Sequence, residues 1–493
     1  MIAEHLPALQ VVIPLLAAPL CVLLRRPGPA WALATAASWA AFGVAVLLLI
    51  AVLEQGVLSY HLGGWEPPWG IEYRVDLANA FVLLIVAAIS AVVLPFARRS
   101  VAAEIPEEKA YLFYSMYLLC LTGLLGIAIT GDAFNVFVFL EISSLSSYVL
   151  ISLGKDRRAL TAAFQYLIMG TIGATFYLIG VGLLYAMTGT LNMADLAQRL
   201  PAVADTRTVH AAFAFLVIGI GVKAAAFPLH LWLPNAYCYA PSVVTAFLAA
   251  TATKVSIYVL LRILFTVFGP VFSFEAIEFD LVMIPLALAA MLLASTTAIF
   301  QNNVKRLLAY SSVAQIGYMV LGISLGSVTG VTAGIVHLFN HAMIKGGLFL
   351  AMGCVFVMLG SVQLRDMAGL GRRMPWTMAA FVIGGLSLIG VPATTGFISK
   401  WVLVQATLER GQWFFAVLIL ASSLLALVYV WRVVEVAYFR PAPEGAAEVS
   451  EAPLAMLIPT WLLILANVYF GVDTSLTLGV ARRAAETLLG GAA

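Results

Sequence analysis

The 493-residue chain is 63% hydrophobic and only 10% charged, and its mean hydropathy is +1.03, which excludes an ordinary soluble globular domain. A formal net charge of +2 gives no indication of a nucleic-acid partner. The four cysteines lack metal-ligand spacing, so we interpret them as small apolar packing residues; they are Cys21, Cys120, Cys238 and Cys354.

Long apolar runs fill the chain from end to end and leave no room for a separate soluble domain. A helix that crosses about 30 Å of hydrocarbon needs about 20 mostly apolar residues. Runs of that size predict an all-α polytopic membrane protein. We expect fourteen transmembrane helices, at 6–25, 31–53, 78–98, 110–130, 132–153, 159–188, 208–229, 242–268, 278–300, 303–325, 330–360, 376–406, 412–438 and 453–472.

Lysine and arginine in the connections predict the orientation. With the N-terminus outside, the inside connections carry about fourteen basic residues and the outside connections about six, which is the expected bias toward the cytoplasm. We therefore expect a multi-pass protein of the cell (plasma or inner) membrane with both termini outside.

Two similar segments indicate an internal repeat. TGTLNMADLA (188–197) aligns with LGSVQLRDMA (359–368) at a spacing of 171 residues, in each case after a helix of about thirty residues. This predicts two inverted five-helix repeats. The expected divisions are 1–109 with helices 1–3, 110–268 as the first repeat, 278–438 as the second repeat, and 439–493 with the last helix and tail.

Proline interrupts the seventh and twelfth predicted helices, in VKAAAFPLHLWLP (222–234) and IGVPATTGFISKW (389–401). Pro228, Pro234 and Pro392 each remove a backbone donor and clash with the preceding turn, so both helices should be broken. Broken backbone at membrane depth survives where protein or a watery cavity satisfies it, and paired breaks are typical of ion sites in repeat transporters.

Several ionisable residues fall inside predicted helices, where a charge costs at least about 2.5 to 3.5 kcal/mol without a partner. Glu141 lies about ten residues into its helix, about 15 Å deep; it either bonds a neighbouring helix for packing or modulates a lysine. Lys223 precedes the break of the seventh helix, and Lys254 lies inside the eighth. Burial disfavours the charged form of a lysine and a nearby carboxylate favours it, so a carboxylate that moves relative to a buried lysine would act as a switch for its proton.

Arg262 and Arg432 lie near helix ends, and we expect their side chains to extend to the membrane interface.

His337, His341 and Lys345 recur at intervals of four in HLFNHAMIKGG and therefore share one helix face. A metal site is the competing interpretation, but no carboxylate or cysteine lies nearby in sequence. A water-linked proton relay fits better, because histidine titrates near neutrality. We predict no metal and no cofactor.

Lys400 follows the break of the twelfth helix and would end the path, although a lysine that extends to the interface is the alternative. Polar residues elsewhere in the helices could hold water or bond across helices; they are Ser143, Ser144, Ser146, Ser147, Tyr310, Gln315 and Tyr318.

These residues lie in stretches that resemble one family over nearly the whole chain. FLEISSLSSYVLI around Glu141, 221–262, NNVKRLLAYSSVAQIGYM (302–319) and SLIGVPATTGFISKW (387–401) resemble the antiporter-like subunits shared by respiratory complex I and Mrp-type sodium/proton antiporters. The resemblance implies a proton path through the acid of the fifth helix, the lysines of the seventh, eighth and twelfth, and the relay of the eleventh. Those residues are Glu141, Lys223, Lys254, His337, His341, Lys345 and Lys400.

Within that family, the absence of a long C-terminal lateral helix argues against the large complex I subunit and the largest Mrp subunit. Lysine at position 400 points to the Mrp D-type subunit or to the smallest antiporter-like subunit of complex I, and the overall texture of the sequence favours the D-type subunit. A proton-pumping subunit of NADH-quinone oxidoreductase, or of a related membrane-bound hydrogenase-type complex, is the alternative. Either implies partner subunits in a membrane assembly. An Mrp complex exchanges Na⁺ for protons, whereas complex I couples proton pumping to quinone reduction on other subunits. The chain shows no haem, flavin, iron–sulfur or nucleotide motif, so we expect no covalent chemistry from it alone. An independent solute carrier or a purely structural scaffold are the other hypotheses.

Overall fold

The computed structural model describes residues 3–442 and 449–490, so the predicted tail 439–493 lies partly outside the described residues. Within the described ranges, thirteen helices are long and apolar enough to cross a membrane, and a divided twelfth helix supplies a fourteenth crossing. The prediction of an all-α polytopic fold with fourteen crossings is confirmed.

The crossings are numbered α1 to α14, and the broken ones carry two parts. Their bounds are α1 Leu6–Leu24, α2 Pro27–Gln55, α3 Leu77–Glu104, α4 Ala110–Ile129, α5 Ala133–Ser152, α6 Arg158–Thr188, α7a Arg207–Ala224, α7b Trp232–Tyr239, α8 Ser242–Leu261, α9 Phe279–Ile299, α10 Val304–Ser324, α11 Val328–Leu359, α12a Pro375–Ile389, α12b Thr395–Glu409, α13 Trp413–Phe439 and α14 Leu454–Val472. A π-helical segment, Arg262–Val267, extends α8, and another, Ala290–Ala294, lies within α9.

Small elements occupy the connections. An antiparallel hairpin that the sequence analysis did not predict, β1 (Leu58–His61) and β2 (Glu72–Val75), joins α2 to α3. An amphipathic helix, α15 (Ser475–Leu488), follows α14 and packs against α3 and α11. The remaining short helical segments are Ala3–His5, Leu62–Gly64, Glu107–Lys109, Met193–Arg199, Leu200–Ala202, Gly269–Val271, Phe272–Ala276, Leu364–Met367 and Leu370–Arg373.

Both predicted helix breaks are present. α7a ends at Ala224, five residues before the predicted end, because Pro228 has no N–H to bond the Ala224 carbonyl; Ala225 then adopts a left-handed φ of 53°. α12a ends at Ile389, and Gly390, with φ 95°, turns the chain away. In each case the helix axis is interrupted inside the bundle.

The repeat spacing of 171 residues reappears in the backbone. In each copy, the start of a helix exchanges two hydrogen bonds with the residues that follow a left-handed glycine, Gly189 or Gly360. The bonds run from Ala133 N to Leu191 O and Met193 N to Gly131 O in the first copy, and from Val304 N to Val362 O and Leu364 N to Asn302 O in the second, at 2.7–2.9 Å. Because α5 and α10 are five crossings apart, they cross the membrane in opposite directions, as inverted repeats require.

The helix α11 runs through the middle of the bundle. Every residue from Gly330 to Val355 is buried, and the helix packs against α3, α8, α10, α12 and α14. A polar residue on α11 therefore has protein on all sides, which gives the predicted relay residues a position away from lipid.

Candidate functional site

Lys223 and Glu141 meet between α7a and α5. Lys223 lies in the last turn of α7a and is only 5% exposed. Its ammonium donates a 2.7 Å hydrogen bond to Ser144 Oγ and lies 3.7 Å from Glu141 Oε1. The negative end of the helix dipole adds a second favourable contact for the cation. The predicted acid–lysine pair is thus in place.

A small cavity adjoins this pair. It has a volume of about 20 Å³, enough for one water molecule, and its lining includes Ser143, Ser147 and Lys223. Hydroxyl groups around a lysine give it alternative hydrogen-bond partners when the carboxylate moves. Three of the serines predicted from the sequence, Ser143, Ser144 and Ser147, therefore line the cavity beside Lys223.

Lys254 lies on the far side of α8 from Lys223. Ala252 and Ser256 line the cavity beside Lys223, and at 100° per residue Lys254 faces the opposite way, toward α11. Its ammonium donates to the carbonyl of Ala249 and, at 3.4 Å, to Thr253 Oγ1. Within the described residues it has no carboxylate partner, and no hydrogen bond joins it to Lys223.

The two histidines of α11 lie one above the other. Their rings are parallel within 3°, with centroids 5.9 Å apart. His337 is held from both ring nitrogens, by Ser399 Oγ at 2.8 Å and Gln315 Oε1 at 2.9 Å. His341 is fully buried, and in the described part of the chain neither of its ring nitrogens has a hydrogen-bond partner. Two hydrogen bonds thus hold the His337 ring, whereas no hydrogen bond in the described residues holds the His341 ring.

Lys345 continues the same face of α11. Its ammonium donates to the Leu308 carbonyl at 2.8 Å and to Ser311 Oγ, both on α10. Lys345 follows His341 by four residues, and α8, which carries Lys254, packs against the same helix. The predicted i, i+4, i+8 stripe is therefore a cluster inside the protein and not a surface feature.

Lys400 lies one turn into α12b and points back at the end of α12a. It donates to the carbonyls of Leu388 and Ile389, at 3.0 and 2.9 Å, and to Ser423 Oγ at 3.1 Å. Pro392 cannot supply the N–H that would normally reach the Leu388 carbonyl, so the helix break itself creates this acceptor. The lysine does not extend to the interface, contrary to the alternative considered from the sequence.

Tyr318 joins Lys400 to the histidines. Its ring lies 4.8 Å from the Lys400 ammonium and 5.7 Å from the His337 ring, measured to ring centroids. Lys400, His337, His341 and Lys254 thus form a buried series across α12b, α11 and α8. The pair Glu141–Lys223 forms a second cluster, separated from the series by the body of α8.

Two basic residues were placed incorrectly from the sequence. Arg262 does not extend to the interface: it is 8% exposed, and its guanidinium pairs with Asp76 at 2.5 Å and with Tyr258 Oη at 2.8 Å. Lys305, counted as a loop charge, is buried at the start of α10 and donates to the Ala240 carbonyl at 3.1 Å. Arg262 follows the end of α8 and Lys305 lies in the first turn of α10, and in both places other parts of the chain cover the helix end.

Sequence reasoning missed four buried acids, which are Glu72, Asp76, Glu104 and Asp132. Asp76 caps α3 by accepting from Ala78 N and Asn79 N, and Glu104 caps α8 by accepting from Ser242 N at 2.9 and 3.0 Å. An acid directly before the apolar run LANAFVLL is an N-cap signal, so Asp76 could have been found. Glu104 caps a helix 138 residues away, which no local pattern reveals.

Metal and disulfide chemistry have little support in the described residues. No group of three His, Cys, Asp or Glu side chains lies together there as a metal site. The four cysteines are buried and free, as their interpretation as packing residues predicts.

The fold and the buried series define a class: polytopic helical membrane proteins that hold ionisable residues between two broken helices. A family model described as "NADH:quinone oxidoreductase/Mrp antiporter, TM" matches residues 130–426, which include all seven predicted site residues. The chain belongs to this family of multi-pass membrane proteins, and the recognition made from the sequence is confirmed.

Relatives carry both names that the sequence suggested. The N-type subunit of NADH-quinone oxidoreductase from Desulforudis audaxviator is 44% identical over 95% of this chain and 96% of its own length. The D-type subunit of the Na(+)/H(+) antiporter from Bacillus subtilis is 30% identical over 98% and 96%. A chain in the structure of the Mrp complex from Dietzia sp. DQ12-45-1b has a TM-score of 0.89 and 27% identity, with 99% and 98% coverage.

Proposed function

We propose that this chain is the D-type, proton- and cation-translocating subunit of a multi-subunit Mrp-type antiporter, which exchanges Na⁺ or another monovalent cation for protons. The observation that carries the proposal is the buried series of ionisable groups beside two helix breaks. A charge inside the bilayer is costly, so lysines and histidines without a structural counter-ion indicate an ion pathway.

The Glu141–Lys223 pair supplies the control step. An adjacent carboxylate favours the charged ammonium, and burial disfavours it, so a change in their separation loads or unloads a proton at Lys223. The present separation of 3.7 Å is longer than a hydrogen bond, and Ser144 holds the ammonium meanwhile. A displacement of about 1 Å would convert the contact into a direct charge-assisted hydrogen bond.

The buried series supplies the path beyond α8. A proton passes from Lys254 to His341, whose ring nitrogens are unpartnered in the described structure, and then along the stacked ring of His337 to Lys400. Lys345 lies one turn beyond His341 on the same face of α11 and is held by Leu308 and Ser311 of α10. The step from Lys223 to Lys254 crosses α8 and needs water or a side-chain movement.

The chain works as one subunit of a membrane complex, which fits its relation to a chain of the Dietzia Mrp complex. We place it in the plasma membrane with both termini outside, on the distribution of lysine and arginine. The repeats, 110–268 and 278–438, then each contribute one broken helix and one end of the path.

A second candidate is a proton-pumping subunit of a complex I-type or related redox assembly. The 44% identity to the N-type subunit of NADH-quinone oxidoreductase favours it. The internal path would be the same, and the energy source would differ. Purification of the intact complex decides between them: small antiporter subunits support the first candidate, and subunits with redox centres support the second.

The test of translocation is Lys223→Ala in the assembled complex, reconstituted in vesicles that contain a pH-sensitive dye. We expect proton flux to fall at least about a hundredfold, the size of a lost proton-transfer group, while insertion and assembly persist. Lys109→Ala, which removes an exposed lysine outside the series, is the matched control. Undiminished flux in the Lys223 variant would support a structural scaffold instead.

A further inference from the structure

A cavity of about 850 Å³ opens where the ends of four helices meet, far from the buried series. Its walls come from the start of α2, the end of α3, the start of α4 and the first turns of α14. Odd-numbered crossings end and even-numbered crossings begin on this membrane face, so the cavity lies at the boundary between hydrocarbon and water. The residues that carry the argument are Trp31, Arg98, Arg99, Glu107, Ile458 and Pro459.

Two arginines give the cavity a positive end. In the described residues, neither Arg98 nor Arg99 has a carboxylate within ion-pair distance. The Arg98 guanidinium lies 5.0 Å from the centroid of the Trp31 ring, and Trp31 Nε1 donates to the Leu94 carbonyl at 2.9 Å. Trp31 thus holds the Arg98 guanidinium in place, and the N–H groups of that guanidinium remain available to bind an anion. Glu107 also lines the cavity, which leaves an excess of one positive charge among the three ionised side chains.

The rest of the lining is apolar. Ile458 is 57% exposed on α14, and Pro459 lies beside it in the lining. An occupant with a charged end and an apolar body satisfies both parts, because an inorganic anion would leave the apolar wall uncovered and a plain hydrocarbon would leave the arginines unpaired.

We propose that this cavity binds one anionic phospholipid, with its phosphodiester at Arg98 and Arg99 and an acyl chain along Ile458 and Pro459. Arginine pairs with phosphate through two parallel N–H bonds, and basic pockets between transmembrane helices suit anionic headgroups of the cytoplasmic leaflet. The bound lipid connects the consecutive helices α2 and α3 to α14, which is distant from them in sequence.

The test is retention of lipid by the intact complex, purified and then reconstituted in nanodiscs of phosphatidylcholine with a minor fraction of phosphatidylglycerol. Native mass spectrometry counts the lipids that stay bound. We expect phosphatidylglycerol to be retained in preference to phosphatidylcholine. Arg98→Gln/Arg99→Gln should lower its apparent affinity about thirtyfold at low salt, since each arginine contributes about five- to sixfold. Arg157→Gln/Arg372→Gln, which removes two exposed arginines from connections on the same face, should leave retention unchanged.

A second variant keeps the proposal testable if the double glutamine variant fails to fold. Ile458→Trp fills part of the apolar wall and keeps both arginines, so it should also lower phosphatidylglycerol retention. Equal retention of the two lipids by the natural protein would overturn the proposal, as would displacement by millimolar inorganic phosphate alone. Photo-crosslinking from position 458 to a partner subunit, with no lipid captured, would overturn it as well.

Discussion

At the break in α7, the Lys223 ammonium lies 3.7 Å from the Glu141 carboxylate, whereas at the break in α12 the Lys400 ammonium meets neutral groups. Among the described residues, Lys400 has helix carbonyls, one serine hydroxyl and the face of Tyr318 around it. The same backbone device, a helix that ends inside the bundle, thus creates two different electrostatic sites.

The difference indicates a division of roles. A lysine beside a carboxylate has a charged partner, and a change in their separation would change the stability of the bound proton. A lysine held by backbone carbonyls has fixed partners, because their positions follow from the helix end. In the proposed path, Lys223 is therefore the controlled site and Lys400 the fixed terminal site.

The largest effect that tests this comparison is expected at Lys400. Lys400→Arg keeps the positive charge at the helix end but cannot release a proton at physiological pH. Proton flux in reconstituted vesicles should fall at least about a hundredfold, as expected for loss of a proton-transfer group, while the complex still assembles.

Lys400→Met and Lys109→Met complete the set. The first removes both charge and proton and should lose flux to the same extent; the second, at an exposed lysine, should not. Full proton flux in the Lys400→Arg variant would show that the site needs only a positive charge. Lys400 would then not be a proton carrier in the proposed path.

The sequence predicted much of this comparison because its signals are local. Proline and glycine mark the two breaks, and a charge inside an apolar run marks each lysine. The exceptions depend on long-range packing. Lys305 is buried because its ammonium meets the Ala240 carbonyl, after α7b, and the Phe356 ring of α11. The pairing of Arg262 with Asp76 joins residues 186 positions apart.

The placement of Lys254 could not be predicted from the sequence. Its position in α8 was clear, but only the packed structure shows that α8 separates it from Lys223 and turns it toward α11. Spacing within one helix gives the angle between two side chains, and it gives no information on which neighbouring helix each side chain meets.

An intermediate effect is expected from Glu141→Gln, which removes the counter-charge of Lys223 with little change in shape. If Lys223 stays charged, the unpaired ammonium should lower the free energy of unfolding by about 1–3 kcal/mol. Proton flux should fall by roughly tenfold, less than in Lys223→Ala, because Ser144 still holds the ammonium. Thermal unfolding and vesicle flux measure the two quantities.

A double-variant cycle sharpens this prediction. Glu141→Gln/Lys223→Met removes both charges, so it should recover the stability lost by Glu141→Gln without recovering flux. Additive stability losses would mean that the two side chains do not interact, and the contrast with Lys400 would disappear.

The smallest effect concerns the backbone of the two breaks. Gly390 has φ 95°, and a Cβ added there would lie 3.0 Å from Lys400 Cδ, so Gly390→Ala should destabilise the protein by about 1–2 kcal/mol and displace Lys400. The comparison residue at the break in α7 is Ala225, which adopts a left-handed φ of 53° although it carries a Cβ.

Replacing Ala225 by glycine should change the free energy of unfolding by only a few tenths of a kcal/mol, because the relieved strain is offset by the greater freedom of the unfolded chain. Thermal unfolding compares the two variants, and an equal response would show that the fixed site at Lys400 does not depend on glycine.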